Sequence, residues 1–159
     1  MALKGDRYEL QTDISFFMNE VAERGGVASL STGGSGAAMD QSVALVSYAT
    51  TGSGKMPVGI LLNDMVNLDL TRQHINFYKD EVQKGGKVTL LRKGYVVTNK
   101  IQGAAPAAGD PVYVAHSGNM SKTDLVGHGT QPAIGSFLSG LDQDGYAKVE
   151  INLPVTRKQ

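Results

Sequence analysis

The fold class follows from the stretch Asp144-Gly-Tyr-Ala-Lys-Val-Glu-Ile-Asn-Leu153 near the end of the chain. From Tyr146 to Leu153, polar and apolar residues alternate, which is the period of two expected for a strand with one buried face. The Asp144-Gly145 dipeptide at the start favours a tight turn between antiparallel strands. The stretch therefore predicts a turn followed by a half-buried strand.

Further apolar runs, separated by turns that contain glycine, precede this strand. We predict strands at residues 42–48, 57–62, 87–92, 95–98, 111–115 and 133–138. Short strands at intervals of about ten residues are typical of small barrels and sandwiches. The sequence thus predicts a mainly β protein, a small β-barrel or sandwich of short antiparallel strands with an extended N-terminal arm.

The arm is defined by composition. Residues 30–36 read Leu-Ser-Thr-Gly-Gly-Ser-Gly, which is typical of a flexible linker. We therefore predict an N-terminal arm and linker at 1–36, a β-barrel domain at 37–153 and a C-terminal tail at 154–159. Under this division the core strands begin after residue 40.

Two segments leave alternatives open. Residues 13–24 fit a helix, with Ile14, Phe17, Met18 and Val21 at helical spacing, or a strand in which Ile14, Phe16 and Met18 alternate. Either element needs a partner surface for its phenylalanines, because a short isolated element cannot bury them. The stretch 63–83 interrupts the strand pattern, and it holds either a short strand at 74–78 or a long loop. Long loops in compact domains usually serve a function.

Composition excludes several classes of function. The chain of 159 residues has 15 basic and 15 acidic residues, so its net charge is zero, whereas nucleic-acid binders usually carry a basic excess. No apolar run approaches the roughly 18 residues of a membrane helix, so we expect neither a nucleic-acid nor a membrane partner. The absence of cysteine excludes disulfides and thiol chemistry.

The sequence contains no motif that supports catalysis or a cofactor. Gly52-Ser-Gly-Lys55 lacks the earlier glycine and the following Ser or Thr of a phosphate-binding loop. Asp142-Gln-Asp144-Gly145 begins like a calcium loop but lacks its later acidic ligands. The three histidines have no metal-ligand spacing. We therefore predict no enzyme activity, no cofactor and no metal.

A series of short motifs in a fixed order resembles a known family. It comprises Pro57-Val-Gly-Ile-Leu-Leu, Gly85-Gly-Lys-Val-Thr-Leu-Leu-Arg-Lys-Gly94, Ala108-Gly-Asp-Pro-Val-Tyr-Val114, Ser117-Gly-Asn119, Ile134-Gly-Ser-Phe-Leu138 and Asp144-Gly-Tyr-Ala-Lys-Val-Glu-Ile151. The series, which lies within residues 43–153, resembles the capsid cement or head decoration proteins of tailed bacteriophages. The 63–83 insertion departs from that shorter pattern.

The resemblance implies a structural protein that binds the outer surface of a phage head and stabilises it against DNA pressure. The implied partners are the major capsid protein and further copies of the chain, with a trimer favoured and a dimer possible. The implied location is the virion, after synthesis in the cytoplasm of the host bacterium. The alternative is a β-rich head-fibre or tail-associated module that recognises a host-surface glycan.

Reach and apolar character together suggest which residues form the capsid or oligomer interface. Arms and long loops extend furthest from a barrel, and apolar residues within them are candidates for contact with a neighbour. The candidates are Phe16, Phe17, Met18, Val21, His74, Phe77 and Tyr78.

Overall fold

The computed structural model of the chain describes residues 3–32, 45–48, 55–64, 81–82, 84–126 and 131–153. Within these ranges the chain is built from strands and one 3-10 turn, His116–Gly118, which confirms the mainly β prediction. The strands are β1 Tyr8–Asp13, β2 Phe17–Met18, β3 Ala22–Glu23, β4 Val27–Thr32, β5 Leu45–Ser47, β6 Pro57–Asp64, β7 Glu81–Val82, β8 Val88–Thr98, β9 Pro111–Val114, β10 Met120–Ser121, β11 Gly135–Phe137 and β12 Ala147–Asn152.

No helix in the described part of the chain is long and apolar enough to span a membrane.

Ten of the described strands form one sheet. Its order is β10-β9-β11-β12-β8-β6-β4-β5-β2, with β1 paired to β8 in addition, while β3 and β7 pair separately. The path ends at β10 and β2, so the described strands form an open sheet. Of the two predicted alternatives, the β-rich sandwich fits these strands and the closed barrel does not. The sheet is mixed because β2 runs parallel to β5, whereas the other pairs are antiparallel.

Strand β8 holds the sheet together because it is long enough to serve three neighbours. Its first part pairs with β6, its second part with β12, and β1 pairs with the middle of the strand. The sequence predicts a turn at Gly94, between strands at 87–92 and 95–98. Instead β8 is continuous, and a Cβ atom at Gly94 would lie 2.0 Å from the Tyr8 carbonyl oxygen. Glycine is needed there for the close approach of β1.

The core lies on both faces of the central strands. Ile60 and Leu61 are neighbours in β6, yet they belong to different buried clusters, and Leu90 and Leu91 in β8 are divided in the same way. Since successive residues of a strand point to opposite faces, the centre of the sheet is covered on both sides. This explains why the 57–62 run is apolar throughout instead of alternating.

Residues within 3–32 contribute to this core. Strand β4 lies between β6 and β5, and its residues Val27 and Ala28 are completely buried. The expectation that the core strands begin after residue 40 is therefore corrected. For residues 13–24 the strand alternative is the observed one, since β2 and β3 lie there.

Three features of the predicted organisation fall on parts of the chain outside the described residues. They are the boundary near residue 36 with most of its linker, the interior of the 63–83 insertion, and the tail at 154–159. The division into arm, domain and tail stays a prediction.

Candidate interaction surfaces

The predicted apolar patch at residues 16–18 lies largely inside the protein. Phe16 and Phe17 are half-buried, and Met18 has no exposed surface. The backbone of Met18 is held on both sides, because its N–H donates to Gly86 O at 2.9 Å and its carbonyl accepts from Gly85 N–H at 2.7 Å. Met18 therefore supports the core and reaches no surface, because both its side chain and its backbone are occupied within the fold.

The other predicted interface residues separate from this patch. Val21 is 56% exposed, although Ala22 beside it is buried. His74, Phe77 and Tyr78 lie outside the described residues. Among the predicted interface residues that the structure describes, Val21 is the most exposed.

A more exposed apolar surface, which the sequence interpretation missed, follows the first strand. Tyr8, Leu10 and Ile14 are 53%, 65% and 47% exposed. Strand β1 pairs with β8 along one edge, and the described residues provide no strand for its other edge. The sequence feature that indicates this strand is the alternation of apolar and polar residues in Tyr8-Glu-Leu-Gln11. We call Tyr8, Leu10 and Ile14 the β1 ridge.

A bulge produces the protrusion of Leu10. Glu9 lies opposite Gly94 and Gln11 opposite Lys93, so Leu10 is an extra residue with no counterpart on β8. Bulges bend a strand and change the direction in which a side chain points. Here the re-aimed side chain is a leucine at the outer edge of the sheet.

The chain before β1 is fixed to the domain at several points. Leu3 is buried in the larger core cluster, and Lys4 N–H donates to Val97 O at 2.9 Å. The Lys4 ammonium group lies 3.0 Å from Asp142 Oδ2 and 4.3 Å from the centre of the Tyr146 ring. The hydrogen bond to Asp142 raises the pKa of Lys4. The pKa of Asp142 is lowered, first by the backbone N–H of Tyr146 and then by Lys4.

An aromatic and basic stack connects the start of β1 with β8 and β12. The rings of Tyr8 and Tyr95 are stacked with their centres 6.0 Å apart. The Lys148 ammonium group lies 3.9 Å from the centre of the Tyr95 ring and 3.6 Å from Asp6 Oδ2. The contacts therefore run from Asp6 through Lys148 and Tyr95 to Tyr8, in addition to the backbone pairing of β1 with β8.

Tyr48 fixes the segment behind β2 and β3. Its hydroxyl group accepts a hydrogen bond from Gly26 N–H at 3.0 Å and donates one to the Glu23 carbonyl oxygen. Its ring packs on Gly118, where a Cβ atom would lie 2.6 Å from the ring. Burial raises the pKa of Tyr48 well above its ordinary value. The neutral phenol therefore acts as a structural hydrogen-bonding group.

The described side chains do not assemble a reactive centre of a familiar kind. No group of three or more histidine, aspartate or glutamate residues in the described ranges could hold a metal ion. His116 lies in the 3-10 turn, where its backbone N–H donates to Gln102 Oε1 at 3.2 Å. What the described surface offers is a set of exposed apolar side chains on and beside an anchored edge strand, which suits a protein that acts by binding other macromolecules.

The chain also matches a family of structural proteins. Over residues 7–152, the chain matches the family described as structural cement protein (E217 gp24/Pam3 gp6), and it belongs to this family. The bounds of the match include residues of both the predicted arm and the predicted domain. No curated protein is similar enough to the chain to count as a match. The chain is accordingly a structural protein of a phage capsid with a cement role.

Proposed function

We propose that the chain binds the outer surface of a phage head, where it bridges copies of the major capsid protein and stabilises the shell against the pressure of packaged DNA. It acts without catalysis and without a cofactor, as a homo-oligomer located on the virion and made in the host cytoplasm. The observation that carries this proposal is the family match over residues 7–152.

The contact chemistry of the surface is compatible with this role. The chain has equal numbers of acidic and basic residues, so no strong net charge opposes close packing against neighbours. A single contact of about 800 Å² of total buried area is weak, but an oligomer that engages two or three such contacts gains roughly 100-fold or more in avidity. Many modest contacts are therefore sufficient.

The capsid contact includes parts of the predicted interface set. Val21 is accessible for it, and Phe16 and Phe17 keep part of their rings exposed. We retain His74, Phe77 and Tyr78 as candidates on the 63–83 insertion. Met18 contributes indirectly, since it belongs to the buried cluster against which Phe16 packs.

The test compares particles with and without the protein. Particles that lack it should assemble but release their DNA at a lower temperature, because a ligand that binds only the intact shell stabilises it by RT ln(1 + [L]/Kd), about 2.7 kcal/mol per site at a hundred-fold excess over Kd. DNA release is followed with an intercalating dye while stripped, complete and re-decorated particles are heated side by side. Equal release temperatures for all three would reject the proposal. A module that recognises a host glycan would instead leave the release temperature unchanged and alter adsorption to host cells.

A further inference from the structure

We propose that the β1 ridge is a self-association surface, at which two copies of the chain pair their β1 strands antiparallel across a two-fold axis at Leu10. The relevant feature is the edge of β1 that β8 does not occupy. Strand β1 uses one edge for β8, and an exposed strand edge presents unpaired N–H and C=O groups that can pair with another strand. Tyr8 and Leu10, two exposed apolar side chains of the ridge, belong to this strand, and Ile14 follows it.

The sequence of the strand is complementary to itself in one register. With Leu10 opposite Leu10 of the second copy, Tyr8 faces Thr12 and Arg7 faces Asp13, and symmetry repeats each of these pairs. The register therefore places an apolar pair, Leu10 with Leu10, at the axis and an oppositely charged pair, Arg7 with Asp13, on either side of it. Opposite charges directly across a pair of strands are stabilising.

Neighbouring registers lack this agreement. An axis at Glu9 places the two Glu9 carboxylates opposite each other, and an axis at Gln11 places Glu9 opposite Asp13. An axis between residues 9 and 10 opposes Asp6 and Asp13, while one between residues 10 and 11 leaves the charged residues without charged partners. Like charges directly opposite are destabilising, so the Leu10 axis is favoured among the registers that overlap most of the strand.

The charged groups have the capacity for these contacts. Arg7 Nε lies 2.9 Å from Glu9 Oε1 within the chain, and a guanidinium group has further N–H donors. Asp13 Oδ1 accepts from Ser15 N–H at 2.7 Å, and a carboxylate has a second oxygen. The two-fold contact therefore requires no local bond to be broken.

The contact is independent of capsid binding, so it is tested with the purified full-length chain by sedimentation equilibrium. The wild type should form dimers at concentrations up to about 100 μM, a range suited to a small interface. Leu10→Arg places two like charges at the axis. It should raise the protein concentration at which half of the chains are dimeric at least about tenfold. Leu138→Arg adds the same charge at an exposed leucine that is not part of β1, and it should leave the dimer intact.

A reciprocal charge exchange separates pairing from folding. Arg7→Asp alone and Asp13→Arg alone each oppose like charges across the axis, so each variant should be monomeric. Mixed together, the two variants should form a heterodimer, because both positions then pair opposite charges, one pair with reversed sign and the other as in the wild type. A wild-type monomer at the highest concentration, a trimer, or a mixture that stays monomeric would each overturn the proposal. A monomer would indicate that the bulge and charges of β1 protect the edge against association.

Discussion

Met18 and Val21 are three residues apart in the predicted arm, and they provide the sharpest test of whether this segment belongs to the core. Met18 has no exposed surface, whereas Val21 is 56% exposed. Met18→Ala removes three buried heavy atoms, worth about 0.8 kcal/mol each by transfer, and leaves a cavity, for a total loss of about 3 kcal/mol. Val21→Ala should change the free energy of unfolding by less than about 0.5 kcal/mol.

The measurement is thermal unfolding followed by far-UV circular dichroism, with urea unfolding as a second probe. For a domain of this size, 1 kcal/mol corresponds to roughly 2–4 °C, so Met18→Ala should lower Tm by about 6–12 °C and Val21→Ala by less than about 2 °C. If both variants melt at the wild-type temperature, residues 16–18 contribute nothing to the core and the arm is independent of it. Equal losses in the two variants would contradict the difference in burial.

Two further substitutions test contacts within the sheet. Gly135→Ala should destabilise the fold by more than about 3 kcal/mol or shift the register between β11 and β12, because a Cβ atom there would lie 1.9 Å from the Glu150 carbonyl oxygen. The control is Gly5→Ala, where a Cβ atom would have nothing within 4 Å and the change should be close to neutral. Both variants are measured by urea unfolding. Tyr48→Phe leaves two backbone groups without their partner and should cost about 1–3 kcal/mol. Because burial raises the pKa of Tyr48, the wild type should lose stability as pH rises above the ordinary tyrosine value, and Tyr48→Phe should show a smaller loss over that range; parallel pH profiles for the two proteins would contradict this assignment.

The strands that were predicted from sequence are those with strong local signals. The stretches 57–62, 111–115 and 146–153 carry apolar runs or clear alternation between turn residues, and β6, β9 and β12 lie there. A local pattern determines whether a residue is extended, but it does not determine which distant strand lies beside it. The parallel pairing of β2 with β5 and the central position of β4 depend on such distant partners.

The exposure of the candidate residues depends on distant partners for a related physical reason. Apolar character in a terminal segment was interpreted as a contact surface, yet the exposed fraction of a side chain depends on what packs against it. Met18 meets the core, whereas Leu10 is turned outward by a bulge that arises only when β1 is aligned with β8. Gly94 is a similar case, since its role becomes visible only with the Tyr8 carbonyl group beside it.

The placement of β1 on β8 also bears on how a cement protein achieves useful affinity. A free arm that becomes ordered on binding loses about 1–2 kcal/mol of backbone entropy per residue. The six residues of β1 are already extended along β8, so about 6–12 kcal/mol of ordering cost falls on folding and not on assembly. The stack from Asp6 through Lys148 to Tyr8 holds the strand in that conformation. Exposed apolar side chains on a preordered strand can therefore support association through a small contact area, which a disordered tail of the same sequence would not.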